Sequence, residues 1–204
     1  MSQKNMWEIE EAWQGRGYRC ICGVDEAGRG PLAGPVCAAA VVLPFGCEIP
    51  GLDDSKKLSD KRRRELFPII QEKALGYGIA FADHKEIDDL NILRATFLAM
   101  ERALKALPCQ PDIVLIDGNR SRDFGVETQT VVHGDSLSAS IAAASILAKV
   151  TRDDYMMKMA ETYPGYGFEI HKGYGTKAHY AALETLDPCE IHRMTFLKKF
   201  YGNK

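Results

Sequence analysis

Gly23-Val24-Asp25-Glu26-Ala27-Gly28-Arg29-Gly30-Pro31 closes an apolar segment with two adjacent carboxylates and a glycine–arginine–glycine turn. Acids beside a phosphate repel it unless a divalent cation lies between. Flanking glycines let backbone N–H groups and one arginine approach a polyanion closely. The stretch therefore points to phosphodiester chemistry. Residues 18–24 read as a strand from their aromatic and β-branched content, and 36–43 as a second. The glycine-rich turn would then join an antiparallel pair.

Outward from this turn, residues 60–75 have helical character, with Ser59 as N-cap and Leu66, Ile69 and Ile70 on one side, and 77–82 make a short strand. Across 90–107, Leu93, Phe97, Met100 and Leu104 recur at helical spacing. Residues 112–116 form a buried-type strand ending at Asp117-Gly118-Asn119, and 127–132 alternate as another ending at His133-Gly134-Asp135. A long helix follows over 137–162. Pro164, Gly165, Gly167, Gly173 and Gly175 interrupt the pattern before closing helices at 177–186 and 193–200. No repeat, low-complexity tract or linker is visible. The economical reading is an N-terminal extension over 1–17 and one α/β domain over 18–204, helical from about residue 163.

Composition narrows the class. A chain of 204 residues, 46% hydrophobic and 26% charged, can bury a real core, which excludes disordered and collagen-like readings. The polar, acidic start (Glu8, Glu10, Glu11) has no signal-peptide run, and nothing later reaches about 18 uncharged apolar residues. A soluble cytoplasmic protein without a membrane partner is expected. Six cysteines in such a chain are read as reduced thiols, and Cys20-Ile21-Cys22 lacks the second ligand couple of a zinc site. With a net charge of -2, no global positive field attracts nucleic acid, so any such binding must rest on local patches.

Three predicted strands end in acid: Asp25-Glu26, Asp117 and Asp135. Gathered at one sheet edge, four carboxylates suit hard cations such as Mg²⁺ or Mn²⁺. Asp at a strand end is also common turn chemistry, but three of three ends favour the metal reading. Side chains alternate along a strand, so Asp25 and Glu26 point to opposite faces unless the chain turns between them. That disfavours a glycosidase, whose two carboxyls face each other roughly 5 to 9 Å apart. Arg29-Gly30 replaces the Lys-Ser/Thr of a P-loop, and Pro31 with the acids is incompatible with a dinucleotide turn.

At this point whole blocks resemble bacterial ribonuclease HII, the type 2 ribonuclease H, over about residues 18 to 200. The carriers are the opening stretch, Asp54-Ser55-Lys56-Lys57-Leu58-Ser59, the helix over 91–100, Ile116-Asp117-Gly118-Asn119 and Gly134-Asp135-Ser136. They continue with residues 142–153, Tyr163-Pro164-Gly165-Tyr166-Gly167-Phe168 and His171-Lys172-Gly173-Tyr174-Gly175-Thr176. The resemblance implies a ribonuclease H-like mixed β-sheet flanked by helices, with Asp25, Glu26, Asp117 and Asp135 as catalytic metal-binding carboxylates. It implies endonucleolytic cleavage of RNA in RNA/DNA hybrids. It also implies cleavage 5′ of ribonucleotides embedded in duplex DNA, leaving 3′-hydroxyl and 5′-phosphate. Gly28, Arg29 and Gly30 would sense the ribose 2′-hydroxyl and Tyr174 would pack on the junction sugar. The 2′-OH is indeed the group that separates RNA from DNA. A site with two Mn²⁺ or Mg²⁺ ions about 3.5 to 4 Å apart is expected, one activating water and the other stabilising the leaving 3′-oxygen. Asp25 would anchor both, Asp117 and Glu26 the substrate-side ion, and Asp135 the water-side ion.

Lys56-Lys57, Lys61-Arg62-Arg63-Arg64 and the pair Lys149/Arg152 are candidates to track phosphates, although a helical charge run is equally a solvated face. Ser145 and Lys149, four apart, project from one side of a helix. With Lys56 they are taken as substrate-binding residues, and serine–lysine nucleophilic catalysis is set aside. His171 and His192 read as loop or packing histidines in preference to proton shuttles. His133 stands where the family often has lysine, the stretch 192–198 only approximates the family's closing block, and no glutamine-led sliding-clamp motif closes the chain. A monomer is expected. Ribonuclease HIII carries a sizeable extra N-terminal domain, whereas 24 residues precede Asp25 here. A catalytically silent hybrid-binding protein would tolerate loss of the acids, and all four are present.

Overall fold

The computed structural model describes residues 5–202, apart from the side chains of Lys199 and Tyr201. In chain order the elements are α1 (Glu8–Gln14), β1 (Ile21–Ala27), β2 (Val36–Val42), α2 (Asp60–Lys73), β3 (Gly76–Ala82), α3 (His84–Leu90) and α4 (Ile92–Lys105). β4 (Ile113–Asp117), β5 (Glu127–Val131), a 3₁₀ turn (Gly134–Ser136), α5 (Ala139–Thr162), α6 (Phe168–His171), α7 (Lys177–Leu186) and α8 (Met194–Tyr201) complete the chain. The strands form one mixed sheet in the order β3-β2-β1-β4-β5. β1, β2 and β3 pair antiparallel, while β4 runs parallel to β1 and β5 parallel to β4. Parallel neighbours end at the same sheet edge, where sites in α/β folds are built. Since Val24 pairs with Ile116, Asp25 and Asp117 come next in line on adjacent strands.

Alternation divides the core. Cys22, Val24, Ala38, Ala40, Val114 and Ile116 face α4, and Cys37, Ala39 and Val41 face α5 and α2. β2 is buried along its whole length because both faces are covered. Of the stripe expected on α4, only Met100 is fully buried. The closest face is Ala95, Ala99 and Ala103, with Leu93, Phe97 and Leu104 half-buried at its margins. The reason is proximity: a Cβ on Gly78 would lie 2.1 Å from the Ala103 carbonyl oxygen, so only small residues fit beneath the helix.

α5 lies equally close to β1, since a Cβ on Gly23 would meet the Ser140 carbonyl carbon at 2.2 Å. α1 covers the start of α5. There Glu10, 1% exposed, accepts from Ser138 Oγ at 2.6 Å and Ser140 N at 3.1 Å, an acid at a helix N-terminus. The acidic start conceals this helix from a reading by apolar periodicity. α3 likewise rests on a polar signal, the reciprocal capping box of Asp83 and Glu86. Ser59 caps α2 as expected. Tyr166, Phe168, Leu183, Ile191 and Leu197 build a separate core under the C-terminal helices together with Leu32 and Met156. No helix among the described residues is long and apolar enough to cross a membrane.

Candidate active site

Asp25 and Asp117 lie near the ends of parallel strands. Asp135 lies in the 3₁₀ turn beyond β5, after His133 reverses the chain at a left-handed φ of 58°. The Asp135 N–H donates to Asp117 Oδ1 at 3.3 Å, and carboxylate oxygens of Asp25, Asp117 and Asp135 lie within 4.8 Å of one another. Burial pushes the Asp25 carboxyl well above its ordinary range, and the neighbouring Glu26 and Asp117 charges add to the effect. A cation at this point would relieve that repulsion, and three carboxylates are the donor set that a hard divalent ion takes. Burial works against the charge on Lys56, but Asp135, 3.0 Å from its ammonium, outweighs burial and raises its affinity for the proton.

Glu26 stands outside this triad. Strand alternation turns it toward a small cleft it shares with Leu93, Thr96, Phe97, Met100 and Asp117. Burial raises its proton affinity while Arg29, 3.2 Å away, opposes that shift. The carboxylates therefore form a cluster of three with a fourth on its flank.

A cleft of about 240 Å³ opens over Asp25 and Asp117. It is lined by Asp25, Glu26, Gly28, Arg29, Gly30, Lys56, Asp117, Ser145, Lys149 and Tyr174, together with Ser55 and Arg63. Asp135 reaches it through Lys56. Ser145 Oγ lies 2.8 Å from Ser55 Oγ, and Ser145 favours the charged form of Asp25, so α5 touches both the 54–59 loop and the metal-type corner. Lys149 shares α5 with Ser145 and is held by Asp153 at 2.8 Å. Arg63 donates to the Ser55 and Leu58 carbonyls at 2.8 and 2.5 Å, so it shapes the loop that carries Lys56. Arg62 and Arg64 pair with Glu65 and with Asp60 and Asp154.

The glycine corner rests on two arginines whose role is the reverse of phosphate binding. Arg152, 1% exposed, donates to the carbonyls of Pro35, Lys172 and Ala33 at 3.0, 3.1 and 3.2 Å. The expectation that it tracks phosphates is corrected: its charge is spent inside the fold. Arg193, fully buried, donates to Gly34 O at 2.9 Å, Arg29 O at 3.0 Å and Gly28 O at 2.6 Å. Burial and the nearby Arg152 pull its pKa down to about 9. Gly28 is required twice over: its φ is +98°, and a Cβ would stand 1.9 Å from Arg152 Nε. Tyr174 is 42% exposed beside this turn, where a Cβ on Gly30 would lie 3.6 Å from its ring. Ser55 and Arg193 were not singled out by the sequence reading. A buried arginine aimed at carbonyls leaves no mark in charge patterning, and only its position after Ile191-His192 hints at enclosure.

The chain is similar to known proteins along most of its length. The ribonuclease HII family profile matches residues 22–199. The chain is 56% identical over 194 residues to a protein named ribonuclease HII from Geobacter sulfurreducens, covering 95% of this chain and 89% of that one. It is 53% identical over 195 residues to the ribonuclease HII of Caldicellulosiruptor bescii, covering 96% and 95%. Among solved structures, the ribonuclease H2 of Pyrococcus horikoshii OT3 superposes with a TM-score of 0.75 at 26% identity, over 90% of this chain and 99% of that one.

Proposed function

Since the chain belongs to the ribonuclease HII family, endonucleases that act on RNA/DNA hybrids, we propose that it also cuts duplex DNA 5′ of an embedded ribonucleotide, leaving 3′-hydroxyl and 5′-phosphate. One observation carries this reading. Of three carboxylates within 4.8 Å of one another, Asp25 and Asp117 line the same cleft as the Gly28–Gly30 turn and Tyr174, with Asp135 just behind them. Hydrolysis and sugar recognition can then act on adjoining atoms of one nucleotide.

In this proposal Asp25, Asp117 and Asp135 hold the metal, and Glu26 adds a fourth carboxylate from the adjoining small cleft. Bound Mg²⁺ or Mn²⁺ supplies water activation and stabilisation of the leaving 3′-oxygen. Ser145 fixes the Asp25 carboxylate. Lys56 neutralises Asp135 and, 76% exposed at its side chain, can exchange that partner for a phosphate oxygen. Arg193 already occupies the Gly28 and Arg29 carbonyls, so the N–H groups of the turn are its main offering to a sugar hydroxyl. Tyr174 packs against the sugar, and Lys149 lines the phosphate path. Incubating the protein with a duplex carrying one ribonucleotide, with Mg²⁺ or Mn²⁺, tests this. Wild type should cut once, 5′ of the ribonucleotide, and Asp25→Asn should not. A metal-independent cut, or undiminished cutting by the variant, contradicts it.

A further inference from the structure

Behind Tyr174 stands a file of buried imidazoles that hydrolysis does not use. His171, His179 and His192 are 9, 0 and 1% exposed, with His171 stacked on His179 at 4.5 Å. Their partners dictate where each ring carries its proton. The Cys189 N–H donates to His192 Nδ1 at 3.0 Å. The Cys189 thiol, kept protonated by burial, lies 3.2 Å from the same nitrogen and can donate to it. The Cys189 carbonyl, at 3.2 Å, would favour the opposite proton position but is the longer contact, whereas the N–H can only donate. His192 Nδ1 is therefore bare and its proton lies on Nε2. That atom is 3.0 Å from His179 Nε2, which must accept, so the proton of His179 lies on Nδ1, 3.0 Å from the Tyr174 carbonyl oxygen. His171 is fixed in the same manner, accepting from Gly173 N–H at Nδ1 and donating from Nε2 to the Tyr166 carbonyl at 2.8 Å.

The file therefore runs one way, from Cys189 through His192 and His179 to the backbone of Tyr174. The next residue after His192 is Arg193, whose guanidinium grips the carbonyls of Gly28 and Arg29. Two consecutive residues thus reach both walls of the recognition corner. One holds the glycine turn directly and the other holds the tyrosine through a second ring.

We propose that His192 and His179, as neutral rings in this fixed tautomeric order, are positioning residues that set Tyr174 against the Gly28–Gly30 turn and so govern discrimination of ribose from deoxyribose. The inference rests on the reading of that corner as the ribose sensor. A merely structural role would need bulk alone, whereas this one needs a donor at the position of His179 Nδ1. Asn offers such a donor and Leu offers only volume.

Histidine-selective ¹⁵N NMR of the wild-type protein at pH 7 should show both rings neutral, His192 protonated on Nε2 and His179 on Nδ1. A charged ring or the reversed order overturns the proposal, whatever becomes of any variant. His179→Leu should lower the turnover of a single-ribonucleotide duplex about 10-fold, within the range that small misplacements cost, with affinity for the duplex changed less than twofold. His179→Asn should recover to within about threefold of wild type. Equal loss in the two variants, or loss confined to affinity, overturns the positioning role. Failure of the underlying reading looks different: the wild type itself leaves the ribonucleotide duplex uncut while the tautomers stand, and the recognition role falls with it.

Discussion

Asp25, Asp117 and Asp135 are carried by the sheet and its immediate continuation, whereas Gly28, Gly30 and Tyr174 are carried by loops that distant side chains pin in place. The first corner is held by backbone pairing and works against its own charge, with Asp25 pushed toward its protonated form. The second gives its buried charges fixed neutral partners. Carbonyls there meet buried guanidinium groups, and imidazoles stay neutral. On the proposed function, chemistry that needs concentrated charge falls on and beside paired strands. Recognition that needs a shaped wall falls on loops held by side chains distant in sequence.

The contrast can be broken first at Asp25. Asp25→Asn should lower turnover by at least about 10³-fold, the several kcal/mol that a lost metal ligand removes. The same variant should melt a few degrees higher than wild type without metal, because a repelling buried carboxylate is gone, about 1 kcal/mol of relief. Calorimetry with and without Mn²⁺ checks both halves, since wild type should gain melting temperature on adding the ion and the variant should not.

Arg193→Met sharpens the other side. It strips partners from the carbonyls of Gly28, Arg29 and Gly34 and should cost about 3 kcal/mol or more, read from urea unfolding, with Arg193→Lys unable to restore the forked contacts. No loss would mean that the loop holds itself.

Acid should loosen the neutral corner before the charged one. Burial, with a smaller contribution from neighbouring imidazoles, lowers His179 and His192 to about 4, against an ordinary 6.5. The unfolded chain then binds more protons than the folded one below pH 6.5. Their contribution is complete above that pH and is lost as the pH falls toward 4, by up to about 3 kcal/mol per ring. Urea midpoints at pH 7 and 5 should differ less in His192→Gln than in wild type.

The smallest expected effect is Ser55→Ala, about 1 kcal/mol for the lost bond to Ser145, together with a modest rise in the metal concentration for half-maximal cleavage. An unchanged metal requirement would separate the 54–59 loop from the carboxylate corner.

Much of the charged corner was legible in the sequence because strand ends followed by glycine mark themselves. The strand ending at Asp117 and the turn carrying Asp135 fell where apolar runs meet polar breaks. The pairing of the first two strands followed from the turn between them. What stayed hidden had no periodic signature. Glu10 capping α5, Arg193 reaching back 165 residues to Gly28, and His179 set by His192 are contacts between a polar group and a backbone that only the assembled fold brings together. The alanine face of α4 was missed for a related reason. Apolar periodicity favours large side chains, whereas helix and sheet approach so closely at Gly78 that small ones carry the contact.

The most direct measurement is an anomalous difference map from a crystal of the protein soaked in Mn²⁺. Density is expected among the carboxylates of Asp25, Asp117 and Asp135, and none there in Asp25→Asn. Manganese bound elsewhere, or unchanged at this position in the variant, would contradict it.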